Sequence, residues 1–483
     1  MMWLSPFVIA LSVGILPKLE DFRNPRIPGE IRFERLRPSL ERDGSVSKVR
    51  SPSPPRGSGS GWLMDWFYDR FDDLMSWDHN PWRLSKRSIG SHYFELMMST
   101  NPKDQALAEE LRRLGGHLHE RVLERYPELM VPSKNVPAER NGFLKWLELA
   151  ERFPADPSRP GNQPDKALDV PKVLTNHLNG KEPWDRDAAR SWLAEKKELL
   201  DQIRSIGLMP EQSISGIDIE RLGFPSIRFA YSCAEALLID ARLAVEEGNL
   251  AAAMESVRAA RGLANHFIEV ETPSLIYATV QIVIDRQVQS YVLSELMPAA
   301  PLEQLNPAAW EAALNPQVAP PSTCGRVMKG DWNVMSREFL MPTLADANDP
   351  KYPCDPEALI DYQANSYLMK IRAYDSDSPT DWATVAAPST LDDSHLSRNS
   401  REIAASLYVG INAWSRGMAR AQSQSGMTQA AFAIMKGEPI PMDPIHGMPY
   451  QWDPATRLLS APDSPVFAGQ NLQPITVPKP QYQ

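Results

Sequence analysis

With 483 residues, 42% hydrophobic and 23% charged, the chain has room for two or three domains of ordinary globular composition. A net charge of −10 argues against a broad nucleic-acid footprint, which needs clustered Lys and Arg. Three cysteines, Cys233, Cys324 and Cys354, exclude a full disulfide framework, and none has the CxxC spacing of a zinc or redox site. Two readings of them remain, a single Cys324–Cys354 bridge in an oxidising compartment or three buried, inert thiols.

Trp3 to Leu16 is an uncharged apolar run, shorter than the ~17–25 residues of a spanning helix. It reads as an uncleaved anchor, as the hydrophobic region of a cleaved signal, or as a buried apolar arm. Residues 18–61 follow as an Arg-, Pro-, Ser- and Gly-rich linker. Between Lys18 and Arg56 it holds ten basic against six acidic residues, a net +4 that leaves −14 on the remainder. Flanking arginines favour a cytoplasmic body, but long domains are exported regardless of flanking charge, so the body is expected outside the cytoplasm. Trp62, Trp66, Phe67, Tyr68, Phe71, Trp77 and Trp82 come next. Interleaved aspartates favour packing of these rings onto the body over contact with anionic lipid.

Leu107, Leu111, Leu114, Leu118 and Val122 form one stripe of an α-helix framed by Pro102 and Pro127. Asp187–Ile206 is a second helix with Trp192, Leu199, Ile203 and Ile206 on one side. The intervening residues 154–183 read as a long loop. Ala234–Glu247 and Leu250–His266 are two helices joined at Gly248-Asn249. So short a connection makes them antiparallel neighbours. Ser274–Met297 is apolar enough for a central core helix. Residues 341–400 are rich in Pro, Asp and Ser. Ile403, Leu407, Ile411, Trp414 and Met418 then mark a last amphipathic helix reaching roughly to Gln424.

The stretch GNLAAAMESVRAA resembles the second half of a tetratricopeptide repeat, with Gly248, Ala253, Val257 and Ala260 at its turn, small, bulky and small positions. Asp240 and Ala244 depart from the first half of that pattern. No second copy follows at the repeat period, so an ordinary αα-hairpin is the alternative. After the last helix, Pro441, Asp443, Pro444, Gly447, Pro449, Tyr450 and Trp452 punctuate a turn-rich block. Tyr450 and Trp452 alternate like a strand, Asp453–Thr456 reads as a turn, and Arg457-Leu458-Leu459 returns as the partner.

That phrase resembles the C-terminal block of type II secretion pseudopilins. It resembles still more a group of planctomycete and verrucomicrobial envelope proteins with a short apolar N-terminus, a helical middle and this ending. The chain has neither the continuous hydrophobic helix nor the processing site of a true pseudopilin. The resemblance implies an envelope location and no particular activity.

The fold is therefore expected to be mainly α, built of antiparallel, tetratricopeptide-like helical hairpins with a small C-terminal β-hairpin. The expected organisation is 1–17 anchor or signal, 18–61 linker, 62–340 helical body, 341–400 loop region, 401–470 helix plus hairpin, and 471–483 tail. No catalytic, metal or cofactor set is read. His117 and His119 in HLHE point about 200° apart on a helix. His446 beside Asp443 reads as part of a turn. Lys329, Asp331, Arg337 and Glu338 read as a solvated helix start. A scaffold or adaptor that binds a protein partner through helical surfaces, with the membrane reached by its N-terminal segment, is the leading expectation. A subunit of a secretion or pilus-like assembly and a hydrolase are the alternatives.

Overall fold

The computed structural model describes residues 101–153, 168–217, 227–340, 356–374, 391–463, 465–467 and 472–479. Residues 1–100, with the apolar run, the linker and the aromatic block, lie outside this set, as does Cys354. The chain is mainly helical, and a small three-stranded antiparallel sheet closes it. In chain order the helices are α1 (Pro102–Arg125), α2 (Gly142–Glu151), α3 (Lys172–Leu178), α4 (Arg186–Glu195), α5 (Lys197–Gly207), α6 (Ile227–Glu246) and α7 (Leu250–Ile268). They continue as α8 (Leu275–Tyr291), α9 (Met297–Ala299), α10 (Pro307–Leu314), α11 (Pro321–Met335), α12 (Pro356–Tyr374) and α13 (Arg398–Lys436). Strands β1 (Gln451–Asp453), β2 (Leu458–Ser460) and β3 (Ile475–Thr476) follow.

Several boundaries differ from the expectation. The single helix expected over Asp187–Ile206 is two, because Lys196 leaves helical geometry between α4 and α5. The 341–400 stretch expected as loop contains α12, whose buried Leu359, Ile360, Tyr367 and Ile371 supply an apolar face. The last helix runs on to Lys436, well past Gln424. Cys324 is a free, buried thiol, not half of a bridge, and burial pushes both it and Cys233 well above the usual thiol range.

The described residues fall into two compact units. The first comprises residues 101–132, 324–340, 356–374 and 391–413. Within it α1 lies on the end of α11, and Trp332 meets Tyr367 edge-on at 5.3 Å. The Tyr367 hydroxyl donates to Asp331 at 2.7 Å. Asp331 is thus buried in the middle of a helix rather than on the solvated helix start expected.

The second unit is organised around α7, which packs on α5, α6, α8 and α10. Gly248 takes φ +73° to end α6, and the Asn249 side chain accepts from the Ala252 N–H at 3.2 Å to start α7. Ala253, Val257 and Ala260 are fully buried on α7. Small residues also set the α5–α7 crossing. A Cβ on Gly262 would stand 1.7 Å from the Gly207 carbonyl oxygen, and one on Gly207 would stand 2.3 Å from that of Ala259. Phe143 and Trp146 of α2, Phe267 of α7 and Tyr277 of α8 form an aromatic core, with Trp146 edge-on to Phe267 at 4.8 Å. Asp240, which departs from the repeat pattern, accepts from Arg204 at 2.8 Å and from the Ser256 hydroxyl at 2.5 Å. A carboxylate there joins three helices.

Helices α8 and α11 both end in a π turn, Val292–Leu296 and Ser336–Leu340. Pro298 accounts for the first. A proline ring cannot share space with the carbonyl four residues back, so the ladder widens and the Met297 N–H bonds Val292 O, five residues back. Leu-Met-Pro stands at 296–298 and again at 340–342.

Candidate interaction surface

The C-terminal half of α13 is buried on nearly every side within the second unit, although it carries a polar run at 421–429. Gln289 of α8 explains part of that run. Its amide nitrogen donates to the Ser425 hydroxyl at 3.1 Å, and its amide oxygen accepts from Thr428 at 2.8 Å. Ser423 and Gly426 belong to another face, the seat of the C-terminal block. Gly437, at φ +72°, ends the helix. The Glu438 N–H returns to the Ala433 carbonyl at 2.8 Å, turning the chain back along α13.

Asp443 organises the turn. It is 1% exposed. Its Oδ1 accepts from the Ile445 N–H at 2.8 Å, the His446 N–H at 3.0 Å and His446 Nδ1 at 2.8 Å. Its Oδ2 accepts from the Ser423 hydroxyl. The Asp443 N–H bonds the Met448 carbonyl and the Gly447 N–H bonds the Asp443 carbonyl, each at 2.8 Å. Gly447 sits at φ +61°. A carboxylate so satisfied belongs inside, where an unpaired one would be costly. The Tyr450 hydroxyl donates to the Ser423 carbonyl at 3.2 Å. Burial, and then the Asp443 carboxylate, push that phenol up. Gly426 makes the seat, since a Cβ there would lie 2.2 Å from the Tyr450 oxygen and 2.8 Å from Pro444 Cδ.

Beyond the turn, β1 pairs with β2 with Trp452 opposite Leu459, and β2 pairs with β3. The expected hairpin is thus the first two strands of a three-stranded sheet. Arg457, at φ +59°, stacks over Trp452 at 5.8 Å. It also ties in the third strand by donating to the Val477 carbonyl at 2.9 Å and to that of Pro478.

The motif residues divide into two sets. Gly248, Ala253, Val257 and Ala260 are packing elements of the α6–α7 hairpin. Asp443 and Tyr450 form the inner side of the C-terminal block, while Pro444, Gly447 and Pro449 face solvent and Pro441 and Trp452 are half-buried. Met442 and Met448 flank the turn, and Leu458 stands on β2. They are 58%, 45% and 37% exposed. Among the described residues these three make up most of the large exposed hydrophobic side chains, joined by Met130 and Leu208 elsewhere. Met442 and Met448 thus stand exposed on the two flanks of one hydrogen-bonded turn. Two residues of this site, Ser423 and Gly426, escape sequence reading. The available signal was a glycine in mid-helix within a polar run on a helix otherwise buried.

Other polar sets are internal. In the first unit the Asn333 amide nitrogen donates to the Lys329 and Leu129 carbonyls, so its oxygen accepts from His119 Nε2–H at 3.0 Å. His119 Nδ1 then accepts the Ser336 O–H at 2.5 Å. This is the hydrogen-bond logic of an activated serine, but Ser336 is 1% and His119 4% exposed. The relay therefore ties α1 to the π turn after α11. Burial brings His119 down to about 4, so it stays neutral. In the second unit His177 Nδ1 donates to the Glu182 carbonyl at 3.2 Å, and Nε2 accepts the Tyr291 O–H at 3.1 Å. His266 Nε2–H donates to the Ile206 carbonyl at 2.8 Å, and burial brings it also to about 4.

Comparison with family models, with curated proteins and with solved structures finds no match to this chain.

Proposed function

We propose that the protein is a non-enzymatic scaffold or adaptor of the cell envelope, and that its C-terminal block is the surface presented to a protein partner. The observation that carries this reading is the exposure of Met442 and Met448 on the turn and of Leu458 on β2, in a block whose turn is pinned to α13 by Asp443 and Tyr450 and whose third strand is tied in by Arg457. A rigid seat lowers the ordering cost of binding, and an apolar centre supplies its driving force. The expectation of binding through helical surfaces is narrowed in this proposal to the sheet and turn that α13 supports.

The envelope location rests on the Trp3–Leu16 run and on the resemblance of the C-terminal phrase. The same resemblance favours assembly into a larger envelope machine as the second form of this reading. Among the described residues no helix is long and apolar enough to cross a membrane, and this reading assigns tethering to the Trp3–Leu16 segment.

The test is capture of the tagged full-length chain from its native envelope in mild detergent, beside a Met442→Asp/Met448→Asp variant. The reading predicts a stoichiometric partner that the variant loses while keeping the wild-type circular dichroism and thermal midpoint. Equal recovery by a folded variant, or recovery of the bare chain alone, would refute it.

A further inference from the structure

We infer that Met442 and Met448 are sites of sulfoxidation, and that oxidising them releases the protein partner. The inference rests on the docking role proposed for the C-terminal block and deepens it. The fold sets these two thioethers apart from most other methionines of the described residues. Met297 at the start of α9 and Met328 of α11 are fully buried. Helix α13 carries Met418, Met427 and Met435, all buried, and Met418 Sδ accepts from Gln422 Nε2 at 3.2 Å. Past Gly437 the chain turns back, and the next two methionines, Met442 and Met448, stand outside. A thioether has no proton to lose, so its oxidation follows the access of the oxidant to the sulfur lone pair. Among the described residues only Met130, in the other unit, is exposed as these two are.

The turn holds both side chains out and is built without them. Its hydrogen bonds are made by backbone groups and by the Asp443 carboxylate. The Asp443 N–H bonds the Met448 carbonyl at 2.8 Å, and the carboxylate accepts from Ser423, Ile445 and His446. An oxygen added to either sulfur therefore changes the surface and spares the fold. Hydrogen peroxide, to which an envelope protein is open, supplies that oxygen. The sulfur lone pair attacks one peroxide oxygen, the S–O bond forms as the O–O bond breaks, and the departing hydroxide takes the remaining proton to leave as water. Sulfur is oxidised by two electrons and the peroxide is reduced. The product is polar and only accepts hydrogen bonds, so a Met-rich contact loses its apolar character. A sulfoxide oxygen buried in the contact without a donor weakens binding about tenfold. Sulfoxide reductases, one for each epimer, reverse the step.

The test uses the purified full-length chain, treated with dilute hydrogen peroxide at neutral pH and quenched with free methionine. Peptide mass spectrometry should find one added oxygen on Met442 and on Met448 while Met297, Met328, Met418 and Met427 have gained none. The treated chain, freed of peroxide, is then added to untreated envelope solubilised in mild detergent, so that only this chain is modified. It should recover the partner about tenfold less well than the reduced chain, and the two reductases should restore recovery. Met442→Leu/Met448→Leu should keep the partner through the same treatment, because leucine is close to methionine in volume and is not oxidised. That variant shares every other methionine with the wild type, so oxidation elsewhere in the chain is present in both. Met130→Leu should remain as sensitive as wild type. Oxidation of Met442 and Met448 no faster than that of the buried methionines overturns the inference. Undiminished recovery by the oxidised wild type, or an equal loss by the double leucine variant, does so too. A reduced wild-type chain that recovers no partner refutes the docking role itself and the switch with it, whereas the other outcomes strike the switch alone.

Discussion

Asp443 receives four hydrogen bonds from three residues, and no other group in the block could replace it. In Asp443→Asn the amide nitrogen would face one of these donors, and the Ser423 hydroxyl or the His446 ring would lose its acceptor. Leaving a buried polar group unmet costs ~1–3 kcal/mol. Chemical denaturation should show that loss, together with greater solvent exposure of Tyr450 by fluorescence. Gly426→Ala should act at the same place by overpacking, since its Cβ meets the Tyr450 oxygen, and should cost ~1–3 kcal/mol by the same assay. At this scale the sequence was half legible. Asp443, Gly447 and Tyr450 stand out by their turn chemistry. Ser423 and Gly426 lie some twenty residues upstream on another element, and only the folded chain brings them to the turn.

Among the elements, the α6–α7 hairpin was the most legible, because Gly248-Asn249 is both a break and a cap and because alanines recur at helical spacing on α7. Ala253 is fully buried. Ala253→Trp should therefore lower stability by the ~1–3 kcal/mol typical of overpacking, and an unchanged thermal midpoint would show the register to be misassigned. The α5–α7 crossing was not legible, since Gly207 and Gly262 are unremarkable until two backbones meet there. The π turns were also missed, although Leu-Met-Pro at 296–298 and 340–342 is a visible signal once a proline is read as widening the turn before it. Periodicity placed the last helix correctly and ended it too soon. The polar run at 421–429 looks like a terminus until Gln289, Asp443 and Tyr450 supply its partners.

For the whole molecule, the buried histidines make stability depend on pH. His119 and His266 hold values of about 4 in the folded chain, below the ordinary 6.5, because burial disfavours their charged form. Between 6.5 and 4 the unfolded chain binds protons that the folded chain refuses, so stability is full above 6.5 and falls as pH drops through this window. Asp285 opposes the trend. Burial, outweighing Arg261, raises it to about 6, so below that value the folded chain takes up a proton sooner than the unfolded one. The thermal midpoint should still fall on acidification from pH 7 to 4.5, and replacing either histidine should shrink the fall. Location has its own test. A phosphatase fused after Gln483 should be active in cells and a cytoplasm-requiring fluorescent protein should be dark, whereas an inactive phosphatase on an abundant fusion would place the body inside. The central claim, that the C-terminal block is where the protein meets its partner, is tested most directly by photo-crosslinking in living cells. A photoreactive amino acid would be placed singly at Met442, Met448 or Leu458 and, as controls, at the exposed positions Met130 and Leu208. The account predicts one common crosslinked protein from the three C-terminal positions and none from the controls. A crosslink of equal strength from Met130 or Leu208, or none from any C-terminal position, would contradict it.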